Sequence, residues 1–88
     1  MEIKEAANKE MQRVSEIINH VKIIENDKNS THFLEFASNY YKDGCYFFKD
    51  NKFIEAFEAF IIAWAYIDCG LKLGFFSIPP EQKHWFTA

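Results

Sequence analysis

Between Phe53 and Gly74 the chain reads FIEAFEAFIIAWAYIDCGLKLG, and only Asp68 interrupts the apolar run from Ala59 to Leu71. The length of the run and the absence of Pro predict one long helix, with Gly74 as its C′ residue. Phe53, Ala56, Phe57, Phe60, Ile61, Trp64, Ile67 and Leu71 are expected toward the core, and Ala59, Ala63 and Ala65 let neighbouring backbones come close. A helix that is apolar on most of its circumference must be covered on several sides. The remainder of the chain is therefore read as its cover.

Two further helical patterns precede it. Ile3, Ala7, Met11, Val14, Ile18 and Val21 recur in steps of three and four, and Ile17 and Ile24 widen the stripe. This predicts a first helix over about 2–25. The segment 26–31, NDKNST, holds no apolar residue and reads as a turn, with Ser30 or Thr31 as the cap of the next helix. Phe33, Phe36, Ala37, Tyr40, Gly44, Phe47 and Phe48 then predict a second helix over about 32–49, and 50–52 a short loop before the third at 53–73. A short helix–helix loop makes neighbours antiparallel. The tail, 75–88, has two Pro and no period, and is expected to be extended, anchored by Phe76, Ile78, Trp85 and Phe86. The expected fold is all-α: an up-down-up three-helix bundle with an extended C-terminal arm, in one domain of 88 residues.

Composition narrows the function. With 49% hydrophobic and 18% aromatic residues the chain is not intrinsically disordered. A net charge of −3 without a Lys/Arg stripe argues against duplex nucleic acid and against an anionic membrane surface. Residues 1–13 are charged and lack the apolar core of a secretory signal. The longest clean apolar run, Ala59 to Ile67, falls far short of the ~20 residues that span a bilayer, so a cytoplasmic location is the expectation. Cys45 and Cys69 have no metal-site spacing and are expected to be reduced and buried.

Antiparallel pairing assigns levels. With the turn centred near Asn51, residue n of one helix faces roughly 102 − n of the other. Cys45 then lies ~18 Å along the axis from Cys69, too far for a disulfide. Asp43 lies ~14 Å from Asp68, beyond a two-carboxylate acid–base pair. The same reasoning for the first two helices sets Asp43 level with Val14, so Arg13 is its expected ion partner. His20, His32 and His84 show no metal-ligand spacing. Arg13 and His20 frame six residues and so resemble the Arg-x4–6-His motif of helical ribonuclease toxins, but two helical turns separate such pairs on any charged helix face.

Two family resemblances stand out. Tyr40, Gly44, Phe47, Phe53, Ala56, Phe60 and Ala63 follow the spacing of one tetratricopeptide unit, a convergence on helix-hairpin packing, since an array needs about three units. More specifically, YYKDGCYFFKDNKFIEAFEAFIIAWAYIDCGLKLGFF resembles the archaeal family known as domain of unknown function 357. Its pattern of Tyr-Tyr-x-Asp, an aromatic–Phe pair, a short turn, Ala-x-Glu-Ala and Leu-Asp-x-Gly-x-Arg-Leu-Gly is matched in turn. Tyr40, Tyr41 and Asp43 come first, then Tyr46 and Phe47, then Ala56, Glu58 and Ala59. Ile67, Asp68, Gly70, Lys72, Leu73 and Gly74 follow, and Phe86-Thr87-Ala88 resembles the family's closing Phe-Thr-Val. Trp64, Ala65 and Tyr66 stand where the family shows His, Gly and Trp, so no role of that His carries over. The resemblance implies a small, soluble archaeal helical bundle and no known activity.

Tyr41, Asp43, Glu58, Asp68 and Arg13 are the polar residues expected to have structural or pocket roles. Asp68 is expected to be hydrogen-bonded by His32 or by the start of the second helix. Ile54, Phe57, Ile61 and Ala65 form one line on the third helix, Phe53, Phe60, Trp64, Ile67 and Leu71 another, and Ile62 and Tyr66 a third. Two helices cover about two sides, so one apolar strip remains for the tail or a second chain. Ile62, Tyr66, Trp85 and Phe86 are the expected interface. The function expected is a non-enzymatic interaction or oligomerisation module, working as a homodimer or with another protein and without cofactor. The alternative is a small-molecule or nucleotide-binding module.

Overall fold

The computed structural model of the chain describes residues 2–24 and 28–86. The expected end of the first helix at 25, the start of the turn cluster at 26, and the closing Thr87-Ala88 lie outside the described residues. The fold is all-α, with three long helices, α1 (Ile3–Ile18), α2 (Lys28–Lys49) and α3 (Phe53–Lys72). Two short strands, β1 (Lys22–Ile23) and β2 (Phe76–Ser77), pair antiparallel, and a 3-10 turn covers Pro80–Trp85. The Cα envelope is 38 × 26 × 17 Å, about two helix layers in its thinnest direction.

α3 is the shared partner: α2 packs on it most extensively, α1 next, and α1 touches α2 least. Its buried line is Ala56, Ala59, Phe60, Ala63, Ile67 and Gly70. Small residues on this line admit the two flanking helices. Gly44 of α2 lies directly against the ring of Phe60, where any Cβ would overlap three ring atoms. The core has two parts. Ala7, Val14, Ala56, Phe60 and Ala63 fill the end near the α2–α3 turn, while Ile17, Ala37, Ile67 and Ile78 fill the end the tail closes.

Both α2 and α3 stop in Schellman motifs. After α2, Asn51 takes a left-handed φ of 62°, its N–H donates to the Phe48 carbonyl at 3.1 Å, and Lys52 N–H donates to Phe47 at 2.9 Å. After α3, Gly74 takes φ 79°, its N–H donates to Leu71 at 3.2 Å, and Phe75 N–H donates to Gly70 at 2.8 Å. The expected role of Gly74 as C′ thus holds, for the reason that a Cβ-free residue enters the left-handed region at no steric cost.

α1 ends at Ile18, seven residues before the periodicity alone would end it. The following Val21-Lys22-Ile23-Ile24 has three β-branched residues, fits a pleated ribbon, and finds one in the tail: Lys22 pairs with Ser77, Ile23 with Phe76, and Ile24 N–H donates to the Phe75 carbonyl at 2.9 Å. His20 Nδ1 lies 2.9 Å from the Glu16 carbonyl, to which it donates, and 3.3 Å from the amide nitrogen of buried Gln82. α2 begins at Lys28 rather than near His32, so the expected caps Ser30 and Thr31 lie inside its first turns. The tail is not simply extended. Its β2 strand is followed by a 3-10 turn that starts with Pro80 at N1, where a missing N–H is harmless.

Candidate functional site

Only one side of α3 escapes coverage. Ile54 (58% exposed), Ile61 (39%), Ile62 (38%) and Leu73 (60%) share it with Glu55, Glu58, Ala65, Cys69 and Lys72. These positions recur at helical spacing opposite the buried Ala56–Gly70 line, so they form one face. Ile61, expected in the core, and Ala65, expected to let a neighbouring backbone come close, are therefore on the surface: α1 and α2 reach only two sides of the helix. Cys69 is likewise exposed, against the expectation of burial, while Cys45 is half-buried; both are free thiols.

On its α2 side the face is bordered by a groove of about 200 Å³ lined by Tyr40, Asp43, Phe47, Glu55, Glu58, Ala59 and Ile62. The across-groove pairs Tyr40 and Ile62, Asp43 and Ala59, and Phe47 and Glu55 are those expected from the level rule. The groove gathers three carboxylates, but among the described residues no cluster of His, Cys, Asp and Glu could hold a metal ion. Above it lies a ring cluster. Tyr66 stacks on Tyr40 at 5.9 Å, tilts against Phe36 at 5.3 Å and meets Phe33 edge-on at 5.7 Å. Tyr66, one of the residues expected at the interface, thus packs on three rings of α2.

Arg13 does not pair with Asp43. Its guanidinium forms an ion pair with Glu10 at 2.8 Å, one turn back on α1, and lies over the indole of Trp64 at 3.7 Å. The correction has a simple cause: Asp43 points into the α2–α3 groove, whereas Arg13 faces α3 and the tail. The same indole takes the ring of Phe86 at 4.3 Å and 9°, with Trp85 at 6.4 Å. Trp85 and Phe86 therefore spend their apolar surface on their own chain. Arg13→Ala should lower stability by about 1–2 kcal/mol, because it removes a partly desolvated cation–π contact and leaves the Glu10 carboxylate, only 17% exposed, without its cation. Arg13→Lys should recover less than half of that loss, since an ammonium cannot lie flat on the indole. Urea unfolding of the two variants measures both effects, and a neutral Arg13→Ala would contradict the assignment.

Tyr41 sits between α1 and α2. The Ser15 hydroxyl bonded to its phenol favours the phenolate, but burial and the Cys45 thiol outweigh it, and its pKa is raised above the ordinary value. The phenol is therefore protonated at neutral pH and serves packing. Asp68 is bonded, but by Lys72 one turn along α3 at 3.0 Å, not by His32 or the start of α2. It lines a cleft of about 450 Å³ with Ile24, Leu71, Lys72, Phe76, Ser77, Ile78, Lys83 and Phe86. Asp43 and Asp68 thus belong to different clefts, and Glu58 lies with Asp43. The residues that sequence reasoning left out are Lys83, Ser77 and Ile24; they join the cleft only because the tail pairs with β1. Among the described residues no helix is long and apolar enough to cross a membrane.

The family described as "Protein of unknown function (DUF357)" matches residues 5–76. The crystal structure of protein AF1782 from Archaeoglobus fulgidus, assigned to the same family, is similar to this chain with a TM-score of 0.75. It shares 25% identity, over 88% of this chain and 93% of that one. No curated protein matches.

Proposed function

The chain belongs to the family of proteins of unknown function numbered 357, and from that premise we propose that it is a non-enzymatic, cytoplasmic protein-interaction module whose docking surface is the open face of α3. One observation carries the reading. The rings of the tail are docked on Trp64, yet Ile54, Ile61, Ile62 and Leu73 on one side of the central helix stay in water. Large exposed apolar side chains on one helix face, interspersed with the charged Glu55, Glu58 and Lys72, are what a docking surface offers. Substituting Ile61 and Ile62 together by Glu tests it. Sedimentation equilibrium should show the assembly of the native chain dissolved while the helical circular dichroism of the variant stays that of the parent, so that association is lost without loss of folding. An assembly that survives both substitutions would overturn the reading.

The cleft beside Asp68 supports a second reading, a small-molecule site. Its volume of about 450 Å³ falls in the range of ligand pockets, and an apolar floor of Leu71, Phe76 and Ile78 meets Lys72 and Lys83 at the rim. That arrangement suits an apolar molecule bearing a carboxylate or phosphate. A thermal-shift screen of such anions should raise the unfolding midpoint, and the rise should vanish in Lys83→Ala; no shift across the class would dismiss it.

A further inference from the structure

We infer that the cleft beside Asp68 takes an aliphatic monocarboxylate, and that the bound molecule clasps the tail to α3. This rests on the reading of that cleft as a small-molecule site, and it names the ligand class and what binding controls. Two separate parts of the chain build the walls. α3 supplies Asp68, Leu71 and Lys72, while the tail supplies Phe76, Ile78 and Lys83. The cleft of about 450 Å³ lies between them, so it exists only while the tail is docked. A molecule that fills it binds the docked tail and not the released one, and shifts the equilibrium toward docking by that difference in affinity. The ladder that holds the tail is short, with β1 and β2 paired over two residues each. Such a contact opens locally, at a lower free energy than the whole bundle, and a ligand can bias it.

The lining selects the ligand. Phe76 and Ile78 are buried and Leu71 is half-buried, so the floor is apolar. Ile24, at the end of β1, lines the same cleft and is 61% exposed. An alkyl chain laid on this floor covers apolar surface that the fold leaves in water, and each methylene buried there tightens binding about fourfold. The charges fix the head group. Lys72 is already neutralised by Asp68 at 3.0 Å. Lys83 is exposed, and among the described residues no carboxylate stands within ion-pair distance of it. The lining therefore holds one uncompensated ammonium, which one negative charge balances. The second charge of a phosphate monoester would meet Asp68 without a cation of its own, and that repulsion selects against it. With its head on Lys83 of the tail and its chain on Leu71 of α3, the ligand touches both walls.

Calorimetry and amide exchange on the full chain test the two halves. Across hexanoate, octanoate and decanoate, affinity should rise about fourfold per methylene, and Lys83→Ala should weaken decanoate about fivefold, as for an exposed ion pair. Decyl phosphate should bind more weakly than decanoate. Exchange then reads the clasp. The Ile24 amide donates to Phe75 at 2.9 Å and is freed when the tail opens, whereas the Lys52 amide donates to Phe47 at 2.9 Å at the opposite end of the bundle. Decanoate at a hundred times its Kd should slow Ile24 exchange about a hundredfold and leave Lys52 unchanged. If none of the anions binds, the cleft reading and the clasp fall together. If decyl phosphate binds as tightly as decanoate, or Lys83→Ala binds decanoate as the parent does, the monocarboxylate assignment is overturned. If decanoate binds but Ile24 exchange is unaltered, the clasp falls while the cleft stands as a small-molecule site. Equal slowing of Ile24 and Lys52 would mean that the ligand stabilises the whole fold and not the tail, which also overturns the clasp.

Discussion

Phe60→Ala should lower the unfolding free energy by about 3–5 kcal/mol, a large share of the ~5–15 kcal/mol that holds a domain of this class. Phe60 is fully buried and is the largest side chain in the core with no solvent contact. It touches both neighbours of α3: Tyr41 of α2 stands 6.0 Å from its ring, and Ala7 and Val14 of α1 share its cluster. Removing it leaves a cavity that three helices line and none can fill alone. The paired test is Gly44→Ala. In a helix that change ordinarily stabilises by roughly 0.5–1 kcal/mol. Here the new methyl group overlaps the Phe60 ring, so the sign should reverse to a loss of about 1–3 kcal/mol. The two sites must couple, and Gly44→Ala in a Phe60→Leu background should cost at least ~0.5 kcal/mol less than alone. Urea unfolding with unchanged slope reads each value, and a stabilising Gly44→Ala in the parent would refute the packing described.

Gly70→Ala is the second large effect, and it acts on the tail. The position lies against the Phe76 ring, and an added Cβ would overlap two of its carbons. Phe76 is only 2% exposed, so its ring has little room to move. The expected cost is about 1–3 kcal/mol from overpacking. The distinguishing result is local. Phe76 carries β2, β2 pairs with β1, and the turn beyond delivers Trp85 and Phe86 onto Trp64. Displacing Phe76 should therefore loosen the tail before the bundle melts. Both tryptophans of the chain sit in that stack, so their fluorescence should shift at lower denaturant than helical circular dichroism. Exchange of the Ile24 amide, which donates to Phe75, should accelerate. Coincident transitions in the variant would mean that tail and bundle form one cooperative unit, contrary to this expectation.

The reach of sequence reasoning follows the range of the interactions involved. Helix periodicity, the α2–α3 loop, the C′ role of Gly74 and the across-groove levels of Tyr40, Asp43 and Phe47 are set by contacts within a few residues or by the geometry of one hairpin. The chain order of side chains alone implies them. The family resemblance likewise lay in α2 and α3, where matched positions such as Ala56, Ala59 and Gly70 are small residues on the buried line of α3. The end of α1 was not legible in this way. Val21 to Ile24 suits either a helix or a strand, and the choice was made by β2, more than fifty residues later. Local preference for such a segment differs by tenths of a kcal/mol, while a ladder partner satisfies whole backbone groups.

The same distinction governs the candidate site. That α3 has more apolar surface than two helices can cover is a property of its composition, and the sequence by itself determined it. Which strip stays open was decided by tertiary structure. The tail settles on the Trp64 line because that indole offers a flat surface to Phe86 and receives Arg13, leaving the Ile54–Leu73 face bare. Arg13 chose Glu10 and an aromatic ring over Asp43, and Asp68 chose Lys72, because ion partners depend on the direction a side chain leaves its helix. That direction is set by how three helices rotate about their axes when they pack, and levels along a helix carry no information about it.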